Sequence, residues 1–330
     1  MAFLSLVSAC LLFFALYTYS PFLLFKVSGC VIVHPNQKFE DFALDLKEKA
    51  TYFSLGLFKL YAKLIGLDQH LQVGEYCFSR HTSLAGVIFR LKHGKRELHK
   101  FTVVDGWTYS EMIQQLNKAS MLNISSHMND PAFVAQALNV EKNSLEGNFY
   151  PSTYYYAYPD TALHVLAQAH LLMQKKIAYF YSECDDKVSV ASPEILLIMA
   201  SIIQKEANDP EEQRIIAGII NNRLKHHMKL QIDATVLYGL NRYSLSNVRL
   251  NKQDLQTDTA YNTYLHLGLP PTPICMPGET AFYAVAHPHE TSYLYYVSKK
   301  NGKHQFSETL EEHNKAVYRY WLSNRKEGTS

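Results

Sequence analysis

The stretch ILLIMASIIQKEANDP, residues 195–210, constrains this chain more than any other. Ile195, Ile198, Met199, Ile202 and Ile203 recur at helical spacing, Pro193 suits a first turn, and Pro210 forbids continuation. The spacing predicts a helix over 194–207 that has to be buried inside a layered core. Glu206 is the next position in the same series. A carboxyl on a core-facing stripe is desolvated, which disfavours its charged form and lets it hold a proton near neutral pH. Such a group can act as a general acid. The alternative is a helix-end glutamate that turns to solvent or caps a neighbouring segment.

The chain has 330 residues, 47% hydrophobic and 19% charged, enough for two domains or one large one. A net charge of +2 with dispersed Lys and Arg leaves no electrostatic footprint for nucleic acid. The five cysteines, Cys10, Cys30, Cys77, Cys184 and Cys275, have neither CxxC nor metal-ligand spacing, and no structural disulfide is expected from so scattered a set. The histidines (His226-His227, His287-Pro288-His289, His313) form no HExxH, and no metal or other cofactor is expected. GxSxG and GxGxxG are also absent from the sequence.

Residues 3–25 hold 23 positions without a charge, long enough to span a bilayer. Lys26 follows directly, so the charge rule alone would keep the body of the protein inside. Val27-Ser28-Gly29-Cys30 resembles a lipoprotein processing box, although the uncharged start and long apolar core argue against lipidation of Cys30. Either route holds the chain at a membrane.

Beyond this run a spacing recurs: Val33, Phe39, Phe42 and Leu46; then Phe78, Leu84, Val87 and Leu91; then Val103, Tyr109, Met112 and Leu116. Each set reads as a strand, a polar turn and an amphipathic helix. These units resemble LysM-type modules that bind N-acetyl-sugar chains; a generic α+β scaffold fits the same pattern. A polar linker follows at 123–130, then helices over 161–181 and 209–228. A hairpin is predicted around Lys300-Asn301-Gly302 and a polar helix over 310–325. The fold class is α+β, divided into an anchor (1–26), a LysM-like module (27–122) and a third domain (123–330).

Five blocks occur in order: LEGNFYPSTY, MASIIQKEA, INNRL with LQIDATVLYGL, AYNTYLHLGLPPTPICMPG, and AHPHETSYLYYVSKKNGKHQFSETLEEHN. Together they resemble the endolytic murein transglycosylases, the YceG-like proteins of bacterial inner membranes, over residues 145–320. The resemblance implies a single-pass enzyme with its catalytic domain outside the inner membrane. It would cut the β-1,4 bond between N-acetylmuramic acid and N-acetylglucosamine of nascent peptidoglycan without water and leave 1,6-anhydro ends. Partners implied are peptidoglycan strands, the membrane and cell-wall synthases. The family's catalytic glutamate lies in an EKE block; here Gln204 stands at its first position, which leaves Glu206.

Lytic chemistry needs one carboxyl where hydrolysis usually needs two, because an intramolecular hydroxyl replaces water. Asp233 is a second carboxylate, positioning substrate or capping a turn. Gln231, Asp233 and Thr235 would share a face if LQIDAT were extended. Tyr261, Asn262, Thr263 and Tyr264 offer rings and donors suited to N-acetyl sugars or to a structural loop, and Tyr238 is similar. Glu146 reads as a cleft residue or as a buried ion pair with Arg223. Two other functions fit: a non-catalytic glycan-binding scaffold, and a muramidase using Glu206 and Asp233 with water.

Overall fold

The recurring strand, turn and helix spacing is realised in the backbone. In the computed structural model, which describes residues 7–9, 12, 15, 26–51, 54–140, 145–184, 190–242, 250–299 and 301–322, strand β1 (Lys26–Val33) leads to helix α1 (Phe39–Glu48). A two-residue β2 (Ala50–Thr51) precedes α2 (Leu55–Leu64), and β3 (Gly74–Thr82) leads to α3 (Leu84–Lys92). β4 (His99–Thr102) leads to α4 (Tyr109–Leu116). The apolar positions of each set face inward: Phe42, Leu46, Leu84, Val87, Leu91, Met112 and Leu116 are fully buried.

Two compact units make up the chain. The first comprises residues 1–100, 119–124 and 155–161, and the second 101–118, 125–154 and 162–330. The third strand–helix set therefore goes with the second unit, and not with the module bounded at residue 122. In the first unit, an antiparallel sheet of order β2-β1-β3 carries α1 and α2 between its two long strands. Its core joins Val27, Val31 and Val33 to Phe42, Phe58, Tyr76 and Leu84.

Cys30 and Cys77 are direct partners in the β1–β3 register and form a disulfide, against the expectation of none. Their 47-residue separation has no recognisable sequence signature; pairing two antiparallel strands brings the sulfurs together. The bond also occupies the Cys30 thiol that lipidation would need. The membrane-spanning run expected at 3–25 lies mainly outside the described residues. Among the described residues no helix is long and apolar enough to cross a membrane.

β5 (Thr153–Tyr156) pairs with β4; in the second unit, α5 (Pro131–Leu138) follows the linker and α6 (Ala162–Ser182) packs on α7 (Pro193–Glu206). α6 turns Val165, Leu166, Ala169 and Met173 inward and leaves Ala167 exposed. α7 starts where Ser192 caps the Ile195 N–H, with Pro193 at the position that needs no donor. It is buried on all sides from Leu196 to Ile203, enclosed by α6, α8 (Pro210–Lys225) and α11 (Glu279–Ala286).

α9 (Asp233–Gly239) and α10 (Lys252–Gln256) lie between α8 and α11 in sequence. β6 (Tyr295–Ser298) and β7 (His304–Ser307) make the predicted hairpin, its turn using Gly302 at φ 79°. α12 (Leu310–Val317) ends in a π turn at Tyr318–Leu322, and residues 323–325 of the predicted tail helix are outside the described part.

Candidate functional site

Glu206 is the last residue of α7. Ala207 is extended (φ −146°, ψ 149°), and Asp209 then caps α8 by accepting from the Glu211 and Glu212 N–H groups. The first half of α8 contributes Glu212, and its inner face receives the chain that follows α11. Arg214 Nε donates to the His287 carbonyl at 2.9 Å, and the Arg214 carbonyl accepts from the His289 N–H at 3.0 Å. One turn on, Gly218 lets that chain approach: a Cβ there would stand 2.4 Å from the His289 carbonyl oxygen. A further turn on, Asn222 Nδ2 donates to the carbonyls of Thr291 (2.7 Å) and Tyr293 (3.2 Å). Arg223 Nε donates to the Leu294 carbonyl at 2.6 Å. Residues 287–294 are thus strapped along α8 by groups four apart, and the strap delivers the hairpin. Glu212 clamps the second strand, taking the His304 N–H at 3.0 Å and facing its Nδ1 at 2.8 Å.

The strapped hairpin brings Tyr296 to Glu206. The tyrosine hydroxyl donates to Glu206 Oε2 at 2.8 Å. Opposite, Tyr264 donates to Asp233 Oδ1 at 2.6 Å. Glu206, Asp233, Gln231, Tyr264, Tyr295 and Tyr296 line one groove of about 560 Å³. Burial pushes the Glu206 carboxyl up to about 7; the nearby Asp233 charge pushes the same way and the Tyr296 hydrogen bond opposes. The carbonyl end of α7 also disfavours an anion at its last residue. The Tyr264 and Tyr296 hydroxyls are both raised, first by burial and then by the carboxylates they meet. Gln204, the departure from the EKE pattern, accepts from the Gly278 N–H at 2.9 Å and so ties α7 to the start of α11.

The other sequence-selected residues lie elsewhere. LQIDAT is not extended: Gln231 sits at φ 52° and Asp233 begins α9. Gln231 and Asp233 remain exposed in the groove while Thr235 turns inside, fully buried. Thr235 Oγ1 donates to the Ile232 carbonyl and meets Thr263 Oγ1 at 2.9 Å. Asp233 therefore answers to Tyr264 and does not cap its own turn. Asn262, also fully buried, donates to the Leu255 and Thr257 carbonyls and accepts from the Tyr264 N–H. Asn262, Thr263 and Thr235 form the wall behind the groove, holding Tyr264 and the entry to α9.

Glu146, Tyr238 and Tyr261 form a second cluster away from the groove lining. Glu146 accepts from the Tyr109 N–H at 2.9 Å and the Tyr238 hydroxyl at 3.0 Å, and burial pushes it to about 7. Tyr261 meets the Tyr238 ring edge-on at 4.8 Å and shares a 2.7 Å hydrogen bond with Thr272. Arg223 does not pair with Glu146; it serves the carbonyls of Leu294, Lys229 and Leu230. Cys30, Cys77 and Glu75 form a cluster of metal-ligand type, but the sulfurs are bonded to each other and Glu75 faces His99 Nε2 at 2.5 Å, so they do not fit a metal. Sequence reasoning missed Tyr295, Tyr296 and His304. Nothing in YLYYV singles out one tyrosine, because the strap geometry decides which ring reaches the carboxyl.

The profile of the YceG-like family matches residues 31–319, nearly all of the chain beyond the apolar start. The chain belongs to the YceG-like family. An endolytic murein transglycosylase of Bacillus subtilis is 32% identical over 300 residues, covering 86% of this chain and 81% of that protein. One from Streptococcus pneumoniae is 25% identical over 303 residues; this chain spans 54% of its length. A crystal structure of a YceG-like protein from Listeria monocytogenes superposes with a TM-score of 0.56 at 29% identity, covering 87% of this chain and 98% of that one. All five sequence blocks that mark this YceG-like chain supply residues to the two carboxyl clusters; AYNTYLHLGLPPTPICMPG adds Tyr261 to one, Tyr264 to the other, and the wall behind the groove.

Proposed function

We propose that this chain is a lytic transglycosylase that cleaves peptidoglycan strands internally, with Glu206 as the catalytic acid and base. Support comes from the relatives' names and from one observation: a carboxyl held near neutrality at the edge of a tyrosine-lined groove. Protonated Glu206 gives its proton to the glycosidic oxygen between N-acetylmuramic acid and N-acetylglucosamine. The C1–O bond breaks, the muramyl C6 hydroxyl attacks C1, and the Glu206 carboxylate takes the hydroxyl proton. The products are a free 4-hydroxyl and a 1,6-anhydro end, with no water consumed. Acid–base help of this kind is worth roughly 10²–10⁴ in rate. Asp233 faces the same groove and stabilises positive charge developing at C1; Gln231 and Tyr264 bind the sugars beside it.

On this reading residues 3–25 anchor the chain in the inner membrane, its body faces the wall, and cell-wall synthases are its neighbours. The Cys30–Cys77 disulfide supports that side of the membrane, because such bonds persist in oxidising compartments. In the first unit two helices, with the short β2 between them, lie in sequence between the paired strands β1 and β3, which supports a LysM-like role in holding glycan. Glu206→Gln tests the proposal. The variant should fold and bind strands but yield no anhydro ends by mass spectrometry, and undiminished cleavage would remove Glu206 as the catalyst. A second reading, hydrolysis, draws on the presence of Asp233 in the same groove. Its products would be heavier by one water.

A further inference from the structure

We infer that Tyr296 is a positioning residue that decides which oxygen of Glu206 carries the proton. This rests on the function just proposed and goes one step further into its chemistry. The Tyr296 hydroxyl donates to Oε2 at 2.8 Å, while Oε1 accepts no hydrogen bond among the described residues. A neutral carboxyl has one carbonyl-type and one hydroxyl-type oxygen, and an O–H donor selects the carbonyl type. Oε2 is therefore the acceptor oxygen, and the proton sits on Oε1, the oxygen left to meet a ligand in the groove. When that proton leaves, the Tyr296 hydrogen bond becomes charge-assisted and shortens the climb to the carboxylate. In the return step Oε1 is again the oxygen that accepts.

The tyrosine can hold this position because both strands of its hairpin are tied to α8, one through Asn222 and Arg223 to residues 291–294 and the other through Glu212 to His304. The groups facing Tyr296 and Glu206 are Asp233 and Tyr264 from the α9 side, Arg223 from α8 and His304 from the opposite strand. Tyr296 is the one among them that hydrogen-bonds Glu206. The remaining carboxylate, Asp233, is engaged by Tyr264 through a separate bond.

The test is Tyr296→Phe in the full-length protein, which removes one oxygen atom and keeps the ring. Two readouts are needed. With purified glycan strands, kcat should fall about ten- to a hundredfold, the range for a lost hydrogen bond to a developing charge, with KM within about twofold. The alkaline limb of the pH profile should move to higher pH, because the lost bond favoured the carboxylate. Independently of turnover, carboxyl infrared difference spectra of wild type against Glu206→Gln should locate the Glu206 titration, and that titration should also move up in Tyr296→Phe. An unchanged titration overturns the inference, whatever the activity. An unchanged kcat with an unchanged limb in an active enzyme overturns it too. If the wild type makes no anhydro ends but the titration moves as expected, the transglycosylase reading fails while the Tyr296–Glu206 linkage stands. Thermal melting of the variant within a few degrees of wild type excludes collapse of the hairpin as the cause.

Discussion

Glu206 shows how the surroundings of one side chain set its readiness to hold a proton. Burial pushes its carboxyl up to about 7, and the like charge of Asp233 pushes the same way. Two predictions belong to this scale. Cleavage should fall as pH rises through about 7, since the acid form is lost there, and Asp233→Asn should draw that limb to lower pH by removing the repulsion. A limb that stays in place in Asp233→Asn would separate the two carboxyls electrostatically. The same shift carries a stability cost. The folded carboxyl titrates above its unfolded value of 4.5, so the folded state binds more protons, and wild-type stability declines as pH rises from about 4.5 to 7 and then levels. Glu206→Gln should therefore melt above wild type at pH 8, by about 1–3 kcal/mol, and equal it at pH 4. Calorimetry at both pH values checks this.

At the scale of elements, α8 is the part that builds the site. Its inner face presents Arg214, Gly218 and Asn222 at intervals of four, and each meets the strap that carries the hairpin. Gly218 is needed for contact and not for backbone freedom, because any Cβ would press on the His289 carbonyl. Gly218→Ala should cost about 1–3 kcal/mol and lower activity further than the stability loss explains, because displacing the strap moves Tyr296 from Glu206. Melting temperatures and kcat measured on the same preparation decide between local and global effects. α7 contributes differently. Its burial on all sides makes it a fixed post, with Gln204 tying its last turn to Gly278, so the carboxyl at its end has little freedom to leave the groove.

Across the whole molecule, the first unit is held by a small sheet and one covalent link. The Cys30–Cys77 bond closes a 47-residue separation and, by loop entropy, contributes about 4 kcal/mol at most. Cys77→Ser should lower the stability of that unit by about 2–4 kcal/mol and leave the site residues of the second unit in place. Peptide mapping of the unreduced protein should recover Cys30 and Cys77 in one linked peptide, and limited proteolysis of the variant should cut first within residues 26–100.

Much of this was legible in the chain itself. The α7 span, the three strand–turn–helix sets, the Lys300–Gly302 hairpin and Glu206 follow from short-range rules: apolar period, proline placement, caps and turn residues all act within a few positions. The pairings that complete the fold and the groove act over distances that no local pattern encodes. Tyr296 meets Glu206 across 90 residues, Thr263 meets Thr235 across 28, and Cys30 meets Cys77 across 47. Burial separated Glu146 and Tyr238 from the groove, and helix formation at Asp233 turned Thr235 inside, although extended alternation had put it beside Gln231. Residue type and period determine which groups can do chemistry. Packing of the strap on α8 decides which of them meet, because a proton's energy depends on what surrounds the carboxyl in space and not on what precedes it along the chain.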